Sequence, residues 1–102
     1  MRIIKEKFLR DAAERYPKAA KYLTAWTANV RRAAWRSMAE VRGLYGSADV
    51  VHVRSGRPVI VFNVCGNTYR LIVAVHFNSQ MAYTLRFLTH AEYDRDDWKN
   101  EL

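Results

Sequence analysis

A single change of hydrophobic period divides this chain. Up to about Trp35 the apolar residues recur at helical spacing, and from Gly46 they alternate or run in short β-branched blocks. Helical side chains repeat every 3.6 residues and strand side chains every two, so one pattern cannot serve both. The fold class read from this switch is α+β, with helices leading. Phe8, Leu9, Ala12, Ala13 and Tyr16 form one stripe on a helix from about Lys5 to Tyr16, which Pro17 ends. Proline is tolerated in a first helical turn, so a second helix follows at once. Its stripe of Ala19, Leu23, Trp26, Val30 and Ala34 runs to about Trp35. The two form a hairpin, with Trp26 and Trp35 in its core.

Ser37-Met38-Ala39-Glu40 reads as a capping box opening one short turn that Gly43 stops. Four strand-like blocks then follow, Val50–Val53, Val59–Val64, Tyr69–Phe77 and Met81–Leu88, separated by Ser55-Gly56, Cys65-Gly66-Asn67 and Asn78-Ser79. Connections this short make consecutive strands antiparallel neighbours. Arg2-Ile3-Ile4 adds a short first strand, and Thr89-His90-Ala91-Glu92 is a second capping box, opening a terminal helix that carries Tyr93 and Trp98. The expectation is two N-terminal helices packed on a mainly antiparallel sheet of four to five strands, with a short C-terminal helix.

A chain of 102 residues supports one core, so residues 1–102 are read as a single domain. The longest uncharged apolar run, Leu71 to Phe77, is broken by His76 and falls far short of the roughly 20 residues a membrane-spanning helix needs. The first residues are charged and carry no signal-like apolar stretch, so a cytoplasmic protein without a membrane partner is expected. Cys65 is the only cysteine, which leaves no intramolecular disulfide and no thiolate zinc site, and its expected role is a small packed or half-exposed thiol.

Charge narrows the partner. Seventeen bases against ten acids give +7, and twelve of the bases are arginine, the side chain that grips phosphate through two parallel bonds. Glu92 to Leu102 carries five acids and two bases, so the body from Met1 to Ala91 stands at +10. A polyanion is the expected partner. Lys18, Lys21, Arg31, Arg32 and Arg36, which lie off the apolar stripes, either solvate a helix surface or touch RNA.

Alternation along the strand from Tyr69 places Tyr69, Leu71, Val73, Val75 and Phe77 on a core face, and Arg70, Ile72, Ala74 and His76 on the other. Arg70 then stands within the sheet near the Asn67 turn, where it needs a carboxylate partner or an anionic ligand. Arg86, near the end of the last strand, raises the same question. His90 and Tyr93 share one side of the terminal helix's first turn and follow directly on Arg86's strand. Free N–H groups at a helix start favour phosphate and a neutral imidazole, so a histidine there suits proton transfer. His52 and His76 are isolated, and none of the histidines has a metal-ligand spacing, so no metal and no cofactor are expected.

Three blocks carry a family resemblance: Asp11 to Pro17, Phe62 to Leu71, and Thr89 to Asp94. In this order they resemble the HigB toxins, a branch of the RelE/ParE toxin superfamily. Family members read Gly-Gly-Asn where this chain has Cys65-Gly66-Asn67, a departure that bears on the turn and not on the proposed active groups. The resemblance implies a RelE-like fold, an mRNA endonuclease cutting in the ribosomal A site, and a helix-turn-helix, HigA-like antitoxin in a toxin–antitoxin heterotetramer. It places Arg70 on the scissile phosphate and matches Thr89, His90 and Tyr93 to a family segment. The candidate catalytic residues are thus Arg70, His90 and Tyr93, and the candidate RNA-binding residues Arg86, Arg54, Arg57 and Asn67. A non-catalytic RNA- or ribosome-binding translation blocker and a ParE-like gyrase poison remain alternatives, because fold does not decide among them.

Overall fold

The computed structural model describes Met1–Leu102. Strand β1 (Arg2–Ile4) leads into helix α1 (Glu6–Arg15) through Lys5, whose left-handed backbone (φ 68°) turns the chain. The hydroxyl of buried Thr84 reaches the Ile4 and Lys5 carbonyls at 3.2 and 3.1 Å and holds this junction. After Tyr16, Pro17–Ala19 form a 3-10 turn that continues into α2 (Ala20–Arg32). The expected second helix is therefore shorter than its apolar stripe. Ala33 leaves the helix with an extended backbone (ψ 148°), and Trp35 reaches the core from outside it.

Helix α3 (Met38–Leu44) has Ser37 at its N-cap, the hydroxyl accepting from the Glu40 N–H. The expected box is only half formed. The Glu40 carboxylate takes the Arg36 N–H at 3.2 Å, one residue outside the cap. Nor does Gly43 stop the helix, which runs one residue further and closes at Tyr45, whose N–H returns to the Val41 carbonyl.

Strands β2 (Asp49–His52), β3 (Pro58–Val64), β4 (Tyr69–His76) and β5 (Met81–Thr89) are antiparallel in sequence order. β1 adds parallel to the outer side of β5, giving the order β1-β5-β4-β3-β2. The register sets Arg70 between Asn63 and Leu88, and Ile72 between Val61 and Arg86, with a bulge after Ile72. α4 (His90–Asp94) follows β5 directly. It does not carry Trp98, as the sequence suggested. Asp96 turns left-handed (φ 60°) and Trp98 belongs to a separate 3-10 turn, Asp97–Glu101.

The helices cover one sheet face and enclose 17 buried apolar residues, with Trp26 set edge-on to Phe62 (ring centroids 5.5 Å apart). The other face, which carries Arg70 and Ile72, is also partly covered. Val53, Val59, Val61, Ile72 and Trp98 form a second, smaller core there, roofed by the C-terminal turn. No helix is long and apolar enough to cross a membrane.

Candidate active site

Arg70 meets Asn67 and Tyr93 where the second core adjoins α4, while the His90 and Arg86 side chains are engaged elsewhere. Arg70 is held by the sheet. Arg70 is 8% exposed, among residues that are otherwise apolar, and its guanidinium donates to the Tyr69 carbonyl (3.0 Å) and to the Asn67 side-chain oxygen (3.4 Å). It forms no ion pair. A guanidinium has five N–H donors, so most of its capacity stays open for an anion. Its central carbon lies 5.3 Å from the centre of the Tyr93 ring, a cation–π distance.

Tyr93 is positioned by α4, which is too short to persist alone. The reciprocal box at Thr89 secures its start: the Thr89 hydroxyl accepts from the Glu92 N–H (3.3 Å) and the Glu92 carboxylate from the Thr89 N–H (3.0 Å). The Thr89 N–H bond holds the Glu92 carboxyl below its ordinary pKa. The His90 N–H donates to the Thr68 carbonyl (3.0 Å), tying the helix to the turn that carries Asn67. Burial raises the Tyr93 hydroxyl above the usual tyrosine pKa, while Lys99 and Arg70 pull it back. At neutral pH it is therefore a proton-bearing donor.

The His90 ring makes no hydrogen bond or ring contact with Arg70 or Tyr93; it is half-exposed and pairs through Nδ1 with Asp94 at 3.0 Å. Sequence reading missed Asp94, although the i, i+4 spacing was the available signal. A His90 ring that donates from Nδ1 to Asp94 keeps its Nε2 lone pair as the remaining acceptor. Arg86 is also engaged, donating to the Leu85 carbonyl (2.7 Å) and pairing with Glu101 at 2.9 Å. Arg54 and Arg57 stand exposed on the β2–β3 turn, apart from the Arg70–Tyr93 pair in every hydrogen bond and ring contact. Cys65 is exposed, with its thiol toward the Lys18 carbonyl (3.4 Å).

The model of a family described as the RelE-like toxic component of a toxin–antitoxin system, the HigB toxin, matches residues 19–96. This chain belongs to the HigB toxin family. The mRNA interferase toxin HigB of Escherichia coli K12 and the mRNA interferases HigB of Escherichia coli O157:H7 and Shigella flexneri are each 33% identical to it over 94 residues, 92% of this chain and 88% of the relative. Membership of the HigB family implies an antitoxin partner and accords with the mixed α+β sheet observed. Arg70, His90 and Tyr93 lie inside the stretch matched by the HigB model, whereas Trp98 and Glu101 lie beyond it.

Proposed function

We propose that residues 1–102 form one toxin domain that cleaves mRNA on the ribosome in the cytoplasm and so stops translation. The observation that carries this reading is the Arg70 guanidinium, nearly buried, without a carboxylate and with donors to spare. Desolvating a cation is costly unless a counter-charge arrives. A phosphate in transit to a pentacoordinate state is such a counter-charge, and a preorganised cation there stabilises the charge that develops.

In the proposed reaction the 2′-OH of the substrate attacks its neighbouring phosphate in line. His90, held by Asp94, takes the 2′ proton through Nε2. Arg70 stabilises the added charge, joined by Arg86 when Glu101 yields to the RNA. Tyr93 gives its proton to the departing 5′ oxygen, or packs against a base while water supplies that proton. The new bond is 2′-O to phosphorus and the broken one phosphorus to 5′-O, which leaves a 2′,3′-cyclic phosphate and a 5′-hydroxyl. Asn67, beside Arg70, and Arg54 and Arg57, exposed on the β2–β3 turn, contact the RNA backbone in this reading. Alignment of the mRNA by the ribosomal A site supplies the orientation that so small a site lacks.

The antitoxin in this reading is a HigA-like helix-turn-helix protein forming a heterotetramer with the toxin. Neutralisation by bulk, which keeps the complex out of the A site, is the mode we favour over direct covering of Arg70 and His90. The test is to map RNA 5′ ends on programmed ribosomes with purified toxin. New ends with 5′-hydroxyls in wild type, lost in His90→Gln and weakened in Asp94→Asn, are the expected result. Translation arrest without new ends, undiminished in Arg70→Ala and His90→Gln, would replace cleavage by blockade. DNA damage without mRNA cleavage would point to a gyrase poison.

A further inference from the structure

Apart from Glu101, the C-terminal 3-10 turn is not used by the chemistry above, yet it is built onto the same residues. Trp98 is 4% exposed and belongs to the second core, beside Val53, Val59, Val61 and Ile72. Its ring lies 5.4 Å from that of Tyr93 at 21°, a stacked geometry, and its indole N–H donates to the Tyr93 carbonyl at 3.2 Å. The Asp96 N–H reaches the same carbonyl at 3.1 Å. Trp98 therefore holds both ends of one residue, the ring by stacking and the backbone by a hydrogen bond.

The turn is itself secured on other sides. The Lys99 carbonyl accepts from the Arg54 N–H at 3.0 Å, fixing it to the end of the β2–β3 turn. Glu101 pairs with Arg86 on β5. Tyr93, by contrast, rides on a five-residue helix with no buried residue. Such a helix cannot hold a side chain in place by its own hydrogen bonds, so its geometry is set by what is packed on it.

We propose that Trp98 is a positioning residue for RNA cleavage, acting through Tyr93 to hold the Tyr93–Arg70 pair at reacting distance. The inference rests on the role of Tyr93 in the reaction proposed above. A tryptophan that only filled the second core would satisfy the same burial without stacking on Tyr93 or bonding to its carbonyl. A misplacement of about 1 Å is enough to cost on the order of a hundredfold in rate.

The experiment is a double-mutant cycle in steady-state cleavage of ribosome-bound mRNA by the full chain, with thermal melting of each variant. Trp98→Leu keeps apolar bulk but loses stack and N–H; it should lower kcat roughly ten- to a hundredfold with KM changed less than about twofold. Trp98→Phe keeps an aromatic stack and should lie between it and wild type. In the Tyr93→Ala background, Trp98→Leu should slow cleavage no further, because the residue through which it acts is gone. If Trp98→Leu does not fold, Trp98→Phe in both backgrounds carries the same cycle.

Wild-type kcat in the Trp98 variants would overturn the proposal, and so would equal slowing with and without Tyr93. Wild-type kcat in Tyr93→Ala would remove the Tyr93 assignment itself. Slow Tyr93→Ala beside fast Trp98→Leu would remove only the role of Trp98.

Discussion

The two faces of the sheet bury their residues by different means. Beneath α1, α2 and α3 lie Leu23, Trp26, Val30, Val41, Phe62, Val64 and Leu71, with relative exposures of 2% or less. This is a layer of alkyl and aromatic groups filled from both sides. The opposite face has five buried apolar residues, no full helix above it, and Arg70 let into its margin. Its roof is a short helix and one 3-10 turn. The lesson is a division of labour. The thick face supplies the stability that lets the thin face keep an unmatched cation, the one proposed above to meet the phosphate.

The strongest way to break this contrast is Arg70→Ala. Cleavage should fall about 10²- to 10³-fold, the range for removing one preorganised donor, while the melting temperature holds or rises because an uncompensated buried charge is gone. A large drop in melting temperature would make Arg70 a structural residue and the two faces alike. Its counterpart is Phe62→Ala under the helices, where loss of a fully buried ring should cost about 3–5 kcal/mol. Denaturant unfolding measures that cost, and cleavage per folded molecule should stay near wild type.

A smaller effect is expected at the border between the faces. Thr89→Ala removes one half of the box that starts α4, at a cost of about 1 kcal/mol. That loss is tolerable for a domain stable by roughly 5–15 kcal/mol. The protein should stay folded and bind its antitoxin but cleave RNA several-fold to about a hundredfold more slowly. Wild-type cleavage would separate the helix start from the chemistry.

The smallest effect sharpens the same point by pH. Glu92 titrates below its ordinary 4.5 because it accepts the Thr89 N–H. Its contribution is present above that pH and disappears as pH falls through the lowered folded-state value. The melting difference between wild type and Glu92→Gln should therefore narrow as the buffer drops below 4.5. A difference that persists there would assign the stabilisation to something other than the charged carboxylate.

What the sequence displayed was mostly local. Thr89 and Glu92 announced their own box, and the alternation from Tyr69 placed Leu71 and Val73 under the helices correctly. Arg70 was recognisable as a cation in need of a partner, because an arginine amid Tyr69, Leu71 and Ile72 conflicts with its surroundings. The errors were of two kinds. Helix ends near Ala33 and Gly43 depended on how the following chain met the core, and an apolar stripe continues past the point where the backbone turns. The burial of Ile72 depended on Trp98, which is distant in sequence and shows no period linking it to β4. His90 likewise paired with Asp94 rather than meeting Tyr93, a choice between two neighbours on one short helix.

The parallel pairing of β1 with β5 sets the order in which this chain can be assembled. Arg2 lies opposite Met81, and Ile4 opposite Tyr83. The hairpins of β2 through β5 close over short turns, whereas this seam joins residues separated by most of the chain. Closing so long a loop forfeits chain entropy before any contact is gained. The meander and the helices therefore have a kinetic head start, and the first strand docks last, onto an edge of β5 that until then is unsatisfied. During that interval the exposed backbone of β5 is a template for any other extended segment. Folding intermediates of this toxin should accordingly be most vulnerable to strand-mediated association at Met81–Tyr83.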